Sequence, residues 1–369
     1  MSKAEDIAPP AAALPAVAAG YRFGRITLDI RQDIPPWKQA AILTASLAVG
    51  LILSVAILDF AGIDPASLAN ELTTAMNAGS LRNVLIQAAP LVLVGVGASL
   101  AFRIGFWNLG IEGQMVLGGI FAAGVSIYEI GPASSRLFVM GLAAALGGLL
   151  WSLLAAFLKL RFRVNEIIAT LLLNYVAIYF LFHLLYGAWQ DAKTAFPQSS
   201  EFRPFERLGD IGFGINGGLV VALVVLLAAA WFVHMSRVGF YMRFISANPT
   251  MAKVLGVPVR TMTIWIVGAS GACCGIAGFV NVASQEGRLT QSFASGYVFS
   301  GVLIAFLSRN DPLVIAVVGF LIAVLFIVGQ SLQVFYQIPF TMVQLIEAII
   351  VIAVASSEFF IRHRIRWIR

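Results

Sequence analysis

Residues 84–102 read VLIQAAPLVLVGVGASLAF, nineteen positions without a charge. An α-helix of that length rises roughly 29 Å, close to the thickness of the hydrocarbon layer of a bilayer. Runs of this kind recur along all 369 residues and leave few folds open. A backbone inside lipid must satisfy its own hydrogen bonds, and a long apolar run does so as a helix. Composition removes the soluble alternative. Only 11% of the residues are charged and 60% are hydrophobic, whereas a soluble domain carries roughly 25% charged residues. The net charge of +6 does not point to nucleic acid, because the cations collect between the apolar runs, as in cytoplasmic loops of membrane proteins.

The runs predict an all-α polytopic membrane protein with about ten transmembrane helices. The expected spans are 40–60, 84–102, a third ending near 127, 137–158, 167–186, 219–234, 262–283, 297–307, 313–330 and 340–355. The 297–307 run is too short to cross alone as an ordinary helix, unless it starts near Phe293. The segments "KLRFR", 237–260 and "RHRIRWIR" are basic, and those at 61–82 and 187–215 are nearly balanced in sign. The basic group inside puts both termini in the cytoplasm and requires an even number of crossings. Eight is the alternative count, if two weak segments are re-entrant.

Three divisions follow. Residues 1–38 are expected to be a disordered cytoplasmic tail, since Pro9, Pro10 and Pro15 interrupt the apolar core a signal peptide needs. Residues 39–360 form the transmembrane domain and 361–369 a basic cytoplasmic tail. Cys273 and Cys274 are adjacent, a geometry that rarely bridges, and read as small packing residues. With three histidines and no Cys/His cluster, no metal site is expected.

Gly268, Gly271, Gly275 and Gly278 step by three, four and three, which places them on one helix face and predicts a close helix crossing. Three polar sets interrupt the apolar pattern. "FWNLGIEGQMVLGG" sets Asn108, Glu112 and Gln114 among glycines between two spans. It fits an ordinary turn at the membrane surface and equally a broken helix of the kind that builds transport sites. In "VNEIIATLLLNY", Glu166, Thr170 and Asn174 stack on one helical face, fit for lining a pathway or for bonding to another helix. In "ANPTMAKVLGVPV", Asn248 can cap a short helix with Pro249 in its first turn, Gly256 can end it, and Pro258 stops it continuing. Met251, Val254 and Leu255 would form its apolar face. No phosphate-binding loop, H-E-x-x-H or G-x-S-x-G motif is present, so any nucleotide hydrolysis is expected on a separate chain.

Together these stretches resemble the permease subunits of bacterial ABC importers for branched-chain amino acids, simple sugars and nucleosides. "NLGIEGQM" is similar to that group's N-[IL]-G-x-E-G-Q-M signature, and "ANPTMAKVLGV" to its coupling segment. "GYVFSGVLIAFLSRNDPL" is similar to a late motif of the group. The resemblance spans about 88–347, with the motifs in the family's order. "VNEIIATLLLNYVA" resembles the nucleoside-type permeases in particular. Ser246, Ala247, Ser308, Arg309 and Asp311 depart from the common pattern.

The resemblance implies an inner-membrane transport subunit and no enzyme. It forms half of a pathway for a small polar solute, most closely nucleosides, with simple sugars as the alternative. It implies that Asn248, Pro249, Ala252, Leu255, Gly256 and Val257 belong to a coupling helix docking on an ATP-binding cassette subunit. Phe106, Asn108, Glu112, Gln114 and Asn174 would lie on the translocation pathway, Glu112 holding its turn by bonds to backbone donors. Phe106, Trp107 and Tyr175 are the aromatics that either stack on a nucleobase or fill the bundle. The other implied partners are a second, shorter permease and an extracytoplasmic substrate-binding protein. No cofactor is expected on this chain, ATP and magnesium belonging to the ATPase. An ion-coupled secondary transporter built on Glu112, Glu166 and Glu347 is the competing class. A membrane enzyme lacks a recognisable catalytic set.

Overall fold

The computed structural model describes residues 21–23, 26–30, 34–60, 62, 64–194, 196–212, 215–337 and 339–367. Strands β1 (Tyr21–Phe23) and β2 (Ile26–Ile30) precede α1 (Pro36–Phe60), α2 (Pro65–Ala75), α3 (Ala78–Phe102), α4 (Ile111–Ile127), α5 (Arg136–Phe162) and α6 (Glu166–Leu185). A hairpin of β3 (Asp210–Gly212) and β4 (Ile215–Asn216) leads into α7 (Gly217–Met235), α8 (Arg237–Ala247) and α9 (Pro249–Val254). Then follow α10 (Val259–Asn281), α11 (Tyr297–Leu307), α12 (Pro312–Tyr336), α13 (Phe340–Arg362) and β5 (His363–Trp367).

Eight of these helices are long and apolar enough to cross a membrane, and α4 and α11 are shorter apolar helices. With its 11 residues, α11 rises about 16 Å, half of a bilayer's hydrocarbon layer. It does not start near Phe293. The chain returns from α10 through a π-helical turn at Val282–Glu286 and the irregular segment 287–296. This non-helical backbone is tolerated because protein covers it: Leu289, Phe293 and Ala294 are buried, and Asn281 Nδ2 donates to the Phe293 carbonyl at 2.9 Å.

Side-chain contacts sort the turns into two ends. At one, Arg103 Nε donates to the Asn310 carbonyl (2.8 Å), His234 meets Asp311 (3.1 Å) and Lys159 meets Glu166 (2.7 Å). Arg161, Arg163, Arg237, Arg243, Lys253, Arg260 and Arg309 fall at this basic end, as do both termini of the bundle, since Arg309 Nη1 donates to Gln39 Oε1 near the start of α1 and β5 pairs antiparallel with β2 (Ile30 opposite His363). At the opposite end, Arg136 pairs with Glu206 (2.9 Å) and Arg82 with Asp210 (3.2 Å).

The two segments expected to be tails are thus partly structured: Tyr21–Phe23, Ile26–Ile30 and His363–Trp367 share one sheet, and α1 begins at Pro36. A backbone ladder between segments far apart in sequence left no local signal. Residues 1–20 lie outside the described residues.

Helix α10 is the central element, packed on α3, α4 and α5. A Cβ at Gly275 would overlap the Ala144 carbonyl oxygen, one at Gly278 the Met115 carbonyl oxygen, and one at Gly271 the Gly148 carbonyl and Ser152 hydroxyl. These glycines let α10 lie backbone to backbone on α5 and α4. Gly268 departs from that set: a Cβ there would meet Leu153 Cδ2 at an ordinary 3.5 Å, because the helices have diverged by that turn. Cys273 and Cys274 are buried and unbridged.

Candidate functional site

The α3–α4 break is the first constellation. It is held by side chains, because a turn at a helix start leaves backbone N–H groups without intrahelical partners. Asn108 Oδ1 accepts from Gly110 N–H (3.1 Å) and from Gln114 Nε2 (2.9 Å). Asn108 Nδ2 donates to Gln114 Oε1 (3.1 Å) and Ser270 Oγ (3.0 Å), and that hydroxyl donates on to the Gly97 carbonyl (2.6 Å). From α6, Asn174 Oδ1 accepts from Gly113 N–H (2.9 Å) while its Nδ2 donates to the Leu109 carbonyl (2.8 Å). Thr170 Oγ1 accepts from Leu109 N–H (3.3 Å) and donates to the Glu166 carbonyl (2.6 Å).

This geometry alters the reading of the polar sets. Asn108, Gln114, Asn174 and Phe106 are all buried, the three carboxamides spend their polar atoms within the network, and Phe106 packs beneath Lys159 Nζ (4.8 Å). The carboxamides knit four helices, α3, α4, α6 and α10, together. The backbone donors expected to bind Glu112 are taken by Asn108 and Asn174 instead; Glu112 is half-buried in the first turn of α4, where a carboxylate suits the helix dipole. Of the aromatics, Trp107 joins Phe102 and Phe306 in a cluster with centroids 5.3–5.7 Å apart at the basic end. Tyr175 is exposed on the outer surface of α6.

The second constellation is the α8–α9 pair at the basic end. Asn248 Oδ1 caps α9 by accepting from Thr250 N–H (2.9 Å) and Met251 N–H (3.1 Å). Gly256 ends it at φ +80°, a left-handed conformation costly for side-chain-bearing residues. Ala252 and Val257 are buried and anchor the segment, while Met251 (55%), Val254 (76%) and Leu255 (64%) are exposed. The helix is shorter than two turns, and α8 before it was not foreseen.

The third constellation lies in the half of the bundle away from the basic end, and sequence reasoning missed it. A cavity of about 390 Å³ is lined by Gln87 from α3, Asn281 from α10, Gln285, Glu286, Ser292, Phe293, Ser295, Tyr297, and Phe326, Gln330 and Gln333 from α12. Gln87 Nε2 (3.1 Å) and Asn281 Nδ2 (2.9 Å) both donate to the Tyr297 hydroxyl, and Tyr297 and Phe326 rings lie 6.0 Å apart. The signal available was a lone amide inside each of three apolar runs, at Gln87, Asn281 and Gln330.

On the opposite end, buried Arg136 and Glu206 pair, with Ser126 Oγ (2.7 Å) and Arg203 N–H (3.0 Å) donating to the same carboxylate. Burial opposes ionisation of Glu206, but the hydrogen bonds from Ser126, Arg136 and Arg203 outweigh it and hold the carboxyl below its ordinary range.

Residues 80–355 match the family described as branched-chain amino acid transport system / permease component. The chain belongs to that permease family. It is a transport subunit and not an enzyme. It is 32% identical to the glucose ABC transporter permease protein TsgB13 of Haloferax volcanii, over 92% of this chain and 93% of that one. It is 29% identical to the guanosine ABC transporter permease protein NupP of Bacillus subtilis, over 73% and 79% respectively. Among solved structures, a chain assigned to the metal-chelate type of ABC transporter, in an inward-facing conformation, superposes with a TM-score of 0.50 at 16% identity, covering 87% of this permease and 99% of that chain. That likeness concerns the fold.

Proposed function

We propose that this permease is half of the membrane pathway of an importer driven by a separate ATPase, and that α9 is its coupling helix. The observation that carries the reading is the exposed apolar tip of α9, Met251, Val254 and Leu255, held out at the basic end by the Asn248 cap and the buried Ala252. An apolar patch presented to water beside a membrane needs a protein partner. The cation-rich end is cytoplasmic by the positive-inside rule, which places α9 on the side where ATP is hydrolysed and leaves the Arg136–Glu206 end outside. ATP and its magnesium sit on the partner. A second permease completes the pathway, and an external binding protein delivers solute to the outer end.

The cargo is a small, uncharged polar solute. Relatives named for guanosine and for glucose support nucleosides and hexoses alike. The test is reconstitution in liposomes with the partner permease and ATPase, reading uptake of labelled guanosine and glucose. Uptake that requires ATP supports the proposal; uptake without any ATPase overturns it.

A further inference from the structure

The cavity between α3, α10 and α12 has a composition that a passive hole does not need. Helix α12 is apolar through most of its 25 residues, yet Phe326, Gln330 and Gln333 fall on one face at intervals of four and three. That stripe faces the cavity. Gln330 and Gln333 are exposed carboxamides on a membrane helix, a placement that requires water or protein before them rather than lipid. The opposite wall is rigid. Gln87 and Asn281 are buried and both fix the Tyr297 hydroxyl, and the Phe293 carbonyl, which only accepts, sets the direction of the Asn281 amide. Among the described residues Asn281 Oδ1 is buried without a donor, so the wall holds one unsatisfied acceptor.

Charge decides what fits. Among the described residues that line the cavity there is no Lys, Arg or His, and the one carboxyl group is that of Glu286. An anionic solute would meet a carboxyl group and no cation in the lining, whereas carboxamides offer a neutral solute both donors and acceptors. Three aromatic side chains, Phe293, Tyr297 and Phe326, border it, and about 390 Å³ lies within the range of small-molecule sites.

We infer that this cavity is an intramembrane solute site that selects neutral, ring-bearing solutes rich in hydrogen-bond donors and rejects their phosphorylated or carboxylate-bearing counterparts. Gln330 and Gln333 supply the polar contacts and Phe326 with Tyr297 the ring contacts. This rests on the permease reading above, and it makes the membrane subunit a second selectivity filter behind whatever delivers the solute.

The experiment is saturation binding of labelled guanosine and of labelled glucose to the assembled importer in nanodiscs, with ATP-driven uptake measured in parallel. One probe is expected to bind saturably, with no competition from guanosine monophosphate or glucose 6-phosphate in excess. Gln330→Leu, at the exposed rim, and Phe326→Leu should each weaken binding about tenfold and raise the KM of uptake. ATP-driven uptake with neither probe binding saturably, with unchanged affinity in both variants, or with equal competition by the phosphorylated forms would overturn the cavity assignment while leaving the permease reading intact. Uptake independent of ATP would instead overturn the permease reading and this inference with it.

Discussion

Asn174 of α6 caps the start of α4 from outside that helix, accepting from Gly113 N–H at 2.9 Å and donating to the Leu109 carbonyl at 2.8 Å. One carboxamide thereby satisfies a donor and an acceptor that the helix break would otherwise leave bare in a buried, largely apolar setting. Because the cap belongs to a different helix, any movement of α6 relative to α3–α4 must break it. The network makes these helices a single body at the basic end.

Asn174→Leu removes both bonds and strands two buried backbone groups. The expected cost is about 2–6 kcal/mol, from roughly 1–3 kcal/mol for each of the two unsatisfied groups. Asn174→Asp keeps the acceptor toward Gly113 and should retain more of the stability. Thermal unfolding in detergent, followed by size-exclusion, orders the two; equal losses would remove the capping account.

The glycine face predicts a graded response. Gly275→Ala drives a methyl into the Ala144 carbonyl oxygen and should destabilise by about 1–3 kcal/mol, as overpacked sites do. Gly268→Ala meets Leu153 at an ordinary distance and should fall within about 0.5 kcal/mol of the parent. Yields of folded protein at rising temperature separate them.

Val254→Asp, at the exposed tip of α9, should leave stability within about 0.5 kcal/mol while abolishing ATP-driven uptake. Gly256→Leu should also uncouple, with an added strain of roughly 1–2 kcal/mol for a side chain in the left-handed region. Paired ATPase and uptake assays provide the readout. Normal coupling in Val254→Asp would dismiss α9 as the point of engagement.

Glu206 predicts an acid response at the end opposite the basic one. Its folded carboxyl is held below the ordinary value of about 4.3, so its contribution is fully present above that pH and is lost as pH falls through the folded value. Glu206→Leu should leave buried Arg136 with only the longer contact to Glu129 (3.8 Å), costing up to about 3–5 kcal/mol at neutral pH, and should flatten the loss on acidification. Melting curves from pH 7 down to the acid limb test both parts.

Much of this protein was legible in order. The apolar runs specified the helices and the cations specified which turns share an end, because burial in lipid and charge in water are properties of composition and spacing. Asn248, Pro249 and Gly256 wrote the short helix α9, since caps and left-handed stops act within a few residues. The glycine spacing on α10 announced a close crossing, although only the structure excluded Gly268 from it. What tertiary structure decided was the use of the polar groups. Local spacing brought Glu166, Thr170 and Asn174 to one face but did not reveal that Thr170 and Asn174 would bind the Leu109–Gly113 turn, nor that Asn108 and Gln114 would spend their amides on each other. Gln87, Asn281 and Tyr297 come from three different helices, and Phe326 and Gln330 from a fourth. Each alone is a minor polar or aromatic interruption, and only packing gathers them into one cavity, because a binding site is a relation between elements while a helix is a relation along one.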